Sequence, residues 1–120
     1  MPYRPREFFK KLTPEGESPA ENLKRFADGV VSQSGEFFKK TFRVENAALE
    51  VYSYLNAPCE AFEKLNAHEL RGLTFVKTPE GETKHFLSLH KFFNLGECEE
   101  YKLQNLKGLK LLEVYEKLDG

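Results

Sequence analysis

Residues 37–55, FFKKTFRVENAALEVYSYL, hold two runs of β-favouring side chains parted by Glu45-Asn46. In the first run Phe37, Phe38, Phe42 and Val44 lie among Lys39, Lys40, Thr41 and Arg43, and Glu45-Asn46 then supplies a turn signal. The second run, Ala47 to Leu55, puts Leu49, Val51 and Ser53 on one side and Tyr52 and Tyr54 on the other, because successive strand side chains face opposite ways. The two tyrosines therefore point the same way. Further along, Pro58 suits the first turn of a short helix whose apolar stripe is Ala61, Phe62 and Leu65, ahead of Asn66. A hairpin follows. RGLTFVK at 71–77 alternates as a strand, TPEGE supplies Pro79 and Gly81 for the connection, and TKHFLSLHKFF at 83–93 returns. Asn94-Leu95-Gly96-Glu97 breaks that run. Residues 99–108 leave a helical turn and an irregular link equally open, and LKLLEVYEKLDG at 109–120 reads as a strand.

On the amino side, Pro2, Pro5, Pro14, Pro19 and Gly16 make residues 1–18 read as an extended arm and loop. Ser18 or Pro19 opens a helix with Leu23, Phe26 and Ala27 at helical spacing, and Gly29 is its expected stop. Helices first and β-hairpins later predict an α+β fold with an antiparallel sheet and short helices, with the body of the domain at 19–120.

A chain of 120 residues with 40% hydrophobic side chains can bury one core and is too short for two. Eighteen Lys and Arg against nineteen Asp and Glu leave a net charge of -1, which excludes binding to nucleic acid through a global basic excess. Any such contact must be local. Nine basic and six acidic residues fall in the first 44 positions, so the slight positive bias sits at the amino end. No run approaches the roughly 20 apolar residues that a membrane span requires, and no signal-like apolar stretch opens the chain, so no membrane partner is expected. Cys59 and Cys98 form no CxxC pair, and without a secretory signal neither a disulfide framework nor a zinc ribbon is expected. The expected compartment is the reducing cytoplasm.

Three segments carry residues suited to phosphate chemistry. Lys117-Leu118-Asp119-Gly120 closes a β-run; Asp-Gly is a common turn, but a lysine amine there is also suited to attack a nucleotide α-phosphate, forming a stable yet activated phosphoramidate. Such an amine must lose its proton, so its ordinary pKa of about 10.4 has to be lowered by burial, cations or a metal. Gly120 would let the backbone approach a nucleotide closely. Arg71, in HELRGLTF, and Lys91, in HKFFNLGE, flank the predicted hairpin, and a hairpin that closes brings both cations toward one polyphosphate. The structural alternatives are a surface ion pair of Arg71 with Glu69 or Glu97, and core packing for Phe92 and Phe93. His85, His90 and Cys98 match no metal-ligand spacing, so no metal site is assigned.

HELRGLTF, KFFNLGE and EKLDG in that order, with Tyr52-Ser53-Tyr54 upstream, make the chain from about Phe42 to Gly120 resemble the amino-terminal part of the T-even phage RNA ligase 1 family. These are ATP-dependent RNA ligases of the covalent nucleotidyltransferase superfamily, engaged in RNA and tRNA repair. The resemblance implies that residues 19–120 are part of an adenylyltransferase domain reaching as far as motif I. Lys117 would be the catalytic lysine that becomes adenylylated, with Asp119 and Gly120 completing its motif. Arg71 and Lys91 would contact the ATP phosphates, Tyr54 would lie near the nucleotide, and Phe93 would be the important ring of the KFFN segment. ATP would be consumed with Mg2+, whose ligands would come from outside this chain. The RNA partner would carry 5′-phosphate and 3′-hydroxyl ends. Motifs that follow motif I in the family are absent from these residues, so the 120 residues alone are expected to be inactive or nearly so, with the remainder supplied from elsewhere, including in trans. The alternative is a non-catalytic RNA- or protein-binding remnant using Tyr52, Tyr54, Phe92 and Phe93 as its surface.

Overall fold

The computed structural model describes residues 3–13, 18–93, 97–98, 102, 104, 107–108 and 110. Among them are helices α1 (Pro5–Leu12), α2 (Pro19–Gln33) and α3 (Cys59–Leu65) and strands β1 (Phe37–Val44), β2 (Ala47–Tyr54), β3 (Leu73–Lys77) and β4 (Thr83–Phe86). The strands form one antiparallel sheet in the order β1-β2-β3-β4. The fold is α+β, as the sequence predicts.

The β1–β2 register pairs Val44 with Ala47 across the two-residue turn Glu45-Asn46. Glu45 takes a positive φ of 56° there, as the first position of a tight hairpin turn demands. Pairing places Phe37, Tyr52, Leu73 and Phe75 on the inner face of the sheet, where they join Leu23, Ala27 and Val30 of α2 and Phe62 of α3 in the core. On the outer face Phe42 and Phe86 remain exposed.

Three local expectations are corrected. Residues 5–12 form a helix rather than an extended arm: Pro5 occupies its first turn, where a missing N–H costs nothing, and Phe8 is buried edge-on against Phe9 and Phe26. Helix α2 runs past Gly29 to Gln33, since Val30 completes the buried stripe of Leu23 and Ala27 and so outweighs the roughly 1 kcal/mol helical penalty of glycine. The side chains of Ser32 and Gln33 donate back to the Gly29 carbonyl. Strand β4 ends at Phe86, and residues 87–93 leave the sheet.

The expectation of no disulfide is corrected as well: Cys59 and Cys98 are joined in a bridge, with Cα atoms 6.0 Å apart. Spacing hides this bridge, because its ends are 39 positions apart and only the fold brings the start of α3 beside Cys98. Among the described residues no helix is long and apolar enough to cross a membrane.

Candidate functional site

Helix α3 ends on Asn66 in the left-handed conformation, where Asn is well tolerated, and the Ala67 N–H donates to the Phe62 carbonyl. The chain then enters a buried loop, Ala67 to Leu70, that delivers Arg71 to the start of β3. The Gly72 N–H donates to the Tyr52 carbonyl at 2.9 Å, tying the loop to β2. Gly72 sits at φ 79°, a conformation that a side chain would strain. From the other side of the hairpin, the Lys91 N–H donates to the His68 carbonyl at 2.7 Å. The two segments carrying Arg71 and Lys91 are thus bonded to each other.

Their cations meet different rings. The Lys91 ammonium lies 5.3 Å from the ring centroid of Tyr54, 5.7 Å from that of Phe62 and 5.2 Å from that of Phe93. Phe62 is fully buried and holds Tyr54 and Phe93 edge-on at 4.9 and 5.7 Å, so the rings form a rigid cage about the amine. The Arg71 guanidinium stands 4.9 Å from the ring of exposed Phe92. Ring faces attract a cation but leave its hydrogen-bond donors unspent. The Glu69 carboxylate accepts from the Tyr3 hydroxyl at 2.7 Å, and among the described residues neither Arg71 nor Lys91 pairs with a carboxylate.

A second charged cluster lies between α2 and the sheet. Lys24 is 3.0 Å from both Asp28 and Glu50, and Lys39 is 3.2 Å from Asp28 and 3.1 Å from Glu50. Tyr52 donates its hydroxyl to Asp28. Burial pushes the Asp28 carboxyl up, but hydrogen bonds from Tyr52, Lys24 and Lys39 outweigh it and hold the group below its ordinary value. Glu50 is likewise raised by burial and brought lower overall by Lys24 and Lys39. Burial lifts the Tyr52 hydroxyl well above the usual phenol range, and the bond to Asp28 adds to the rise. Two cations and two carboxylates neutralise one another, so this cluster clasps α2 to the sheet and offers nothing to an anion.

Of the residues singled out from sequence, Tyr54, Arg71, Lys91 and Phe93 are described and lie around the 67–72 loop, with Phe93 buried and Tyr54 half-buried. Lys117, Asp119 and Gly120 lie outside the described residues. Sequence reasoning missed Phe62 as the floor of the Lys91 cage, and missed the Tyr3 contact to Glu69, which spans 66 positions. The stripe that placed Phe62 in the core is a local signal for the first; the second has none. His90 packs edge-on to Tyr3 and Cys98 is in the disulfide; among the described residues no group of three or more His, Cys, Asp or Glu side chains could hold a metal.

The chain is 45% identical over 84 residues to a protein of Thermovibrio ammonificans named "Putative RNA ligase", across 68% of this chain. That similarity supports an RNA ligase family. The chain spans about a fifth, 21%, of that relative's length. No family model and no solved structure matches this chain.

Proposed function

We propose that this chain is the nucleotide-handling portion of an ATP-dependent RNA ligase of the covalent nucleotidyltransferase kind, of the type represented by the T-even phage RNA ligase 1 family. Arg71 and Lys91 bind the phosphates of ATP, with Tyr54 and Phe93 fixing the Lys91 amine and bordering the nucleotide. The unprotonated Lys117 amine attacks the α-phosphorus; an N–P bond forms, the bond to the bridging oxygen breaks, and pyrophosphate leaves. Asp119 and Gly120 hold the turn beside it. AMP then passes to an RNA 5′-phosphate, and an RNA 3′-hydroxyl displaces it to seal the strand. Nicked tRNA loops in the cytoplasm are the proposed setting, and the remaining parts of the active site come from further sequence, in cis or in trans. A divalent metal would share the phosphate charge when bound. The described side chains do not fit a metal site, so no step is assigned through one.

The observation that supports this reading is the pair of cations without carboxylate partners among the described residues, on segments joined by the Lys91 N–H to His68 bond, in a relative of a protein named as an RNA ligase. Guanidinium and ammonium donors together suit several phosphate oxygens at once. Titrating the chain with ATP while recording NMR shifts tests it. Perturbation of the Arg71 and Lys91 side-chain signals is expected, with affinity falling about ten- to a hundredfold in Arg71→Ala and Lys91→Ala, the range for hydrogen bonds to charged groups. A titration that leaves both side chains unmoved would sink the assignment.

A further inference from the structure

Glu69 is a buried carboxylate in the loop between α3 and β3, and His68 beside it is buried as well. A carboxylate out of water needs a donor. Its donor here is the hydroxyl of Tyr3, from the stretch ahead of α1, at 2.7 Å. The same ring stacks on His68 with centroids 4.4 Å apart and planes 5° from parallel, and meets His90 edge-on at 5.1 Å. Tyr3 is fixed from behind by Phe8 of α1, 5.7 Å away. Burial raises the Tyr3 hydroxyl well above the usual phenol range, and the hydrogen bond and charge of Glu69 add to this, so the proton stays on the phenol.

These three contacts fall on particular neighbours. His68 and Glu69 stand three and two positions before Arg71, and His90 directly precedes Lys91. The Arg71 N–H donates to the Glu69 carbonyl at 2.8 Å, and the Lys91 N–H donates to the His68 carbonyl. One phenol ring therefore touches both cation-bearing segments, beside the backbone atoms that hold Arg71 and Lys91.

We infer that Tyr3 and Glu69 are a positioning pair: a half-buried latch by which the amino-terminal stretch fixes the spacing of Arg71 and Lys91 for binding polyphosphate. The role in binding rests on the phosphate-holding function proposed above; the latch itself does not.

Hydrogen exchange and binding of inorganic tripolyphosphate, measured on the 120-residue chain and on Tyr3→Phe, separate the two statements. In Tyr3→Phe the ring and its packing persist and only the hydroxyl is lost, so a folded protein is expected. Exchange at the Arg71 and Lys91 amides should quicken about tenfold, while strand amides such as Val51 keep their rates, and tripolyphosphate affinity should fall about fivefold. Glu69→Gln, whose amide oxygen can still accept from Tyr3, should restrain exchange and retain most of the affinity. Unchanged exchange at Arg71 and Lys91 in Tyr3→Phe would overturn the latch. Quickened exchange with unchanged affinity would overturn its positioning role and leave a structural contact. A wild-type chain that binds no tripolyphosphate would overturn the phosphate-holding function, and with it the positioning role, while the exchange rates still decide the latch.

Discussion

Lys24 and Lys39, between α2 and the sheet, each reach two carboxylates within 3.2 Å, whereas Lys91, over Tyr54 of β2, and Arg71, just ahead of β3, meet only aromatic faces among the described residues. Both regions keep cations partly out of water, yet they solve the problem differently. Opposite charges cancel the field locally and lock geometry. Rings stabilise a cation while leaving its charge and donors available to an incoming anion. The first arrangement belongs to a joint that holds the fold together, and the second leaves two cations open to the anion proposed above.

The contrast can be broken most severely from beneath. Phe62 is fully buried and supports both the Lys91 cage and the core contact to Phe37, so Phe62→Ala is expected to cost about 3–5 kcal/mol in urea unfolding. A loss below about 1 kcal/mol would mean that the cage has no rigid floor. The clasp comes next: Tyr52→Phe removes the hydroxyl donated to Asp28 and is expected to cost about 1–2 kcal/mol, the lower part of the range for bonds to charged groups because the cluster is partly wet.

Acid should strike the clasp. Asp28 and Glu50 titrate below their ordinary values of 3.8 and 4.5 in the folded chain. Their stabilisation is therefore fully present above about pH 4.5 and is lost as pH falls through the lowered folded values. Replacing both with their amides should lower stability at neutral pH and flatten the acid limb of the unfolding midpoint against pH; an unchanged limb would show that the clasp does not titrate. The smallest effect is expected at Lys91→Met, which keeps an apolar stem over the rings and forfeits only a cation–π contact. Its stability should stay within about 1 kcal/mol of wild type while ATP binding falls.

Local pattern carries the strands, the Glu45-Asn46 turn, helix α3 and its Asn66 cap, because each depends on residues within one or two turns of chain. Helix α1 escaped such reading because its flanking prolines resemble a loop until Phe8 is seen to be buried. Strand β4 is shorter than its sequence suggests for a different reason: residues 87–93 have strand-like composition, but the bond from Lys91 to His68 draws them off the sheet. Arg71 and Lys91 are legible as motif residues. Their surroundings are not, since Phe62 lies 29 positions from Lys91 in the chain and Tyr3 lies 66 from Glu69. The disulfide is hidden for the same reason, as distance along the chain says little about distance in space.

The bridge from Cys59 to Cys98 has one more effect. It makes a covalent ring of the chain between its ends, and α3, β3, β4, Arg71 and Lys91 all lie on that ring. The turn at Pro79–Gly81, between β3 and β4, is exposed on it. A protease that cuts there leaves one oxidised molecule with two new ends, running as a single band until a reductant separates the halves. With β3 and β4 still anchored to the same ring, the nicked protein retains the cage and both cations, so the hairpin tip can be cleaved, labelled or extended without parting the segments that carry Arg71 and Lys91.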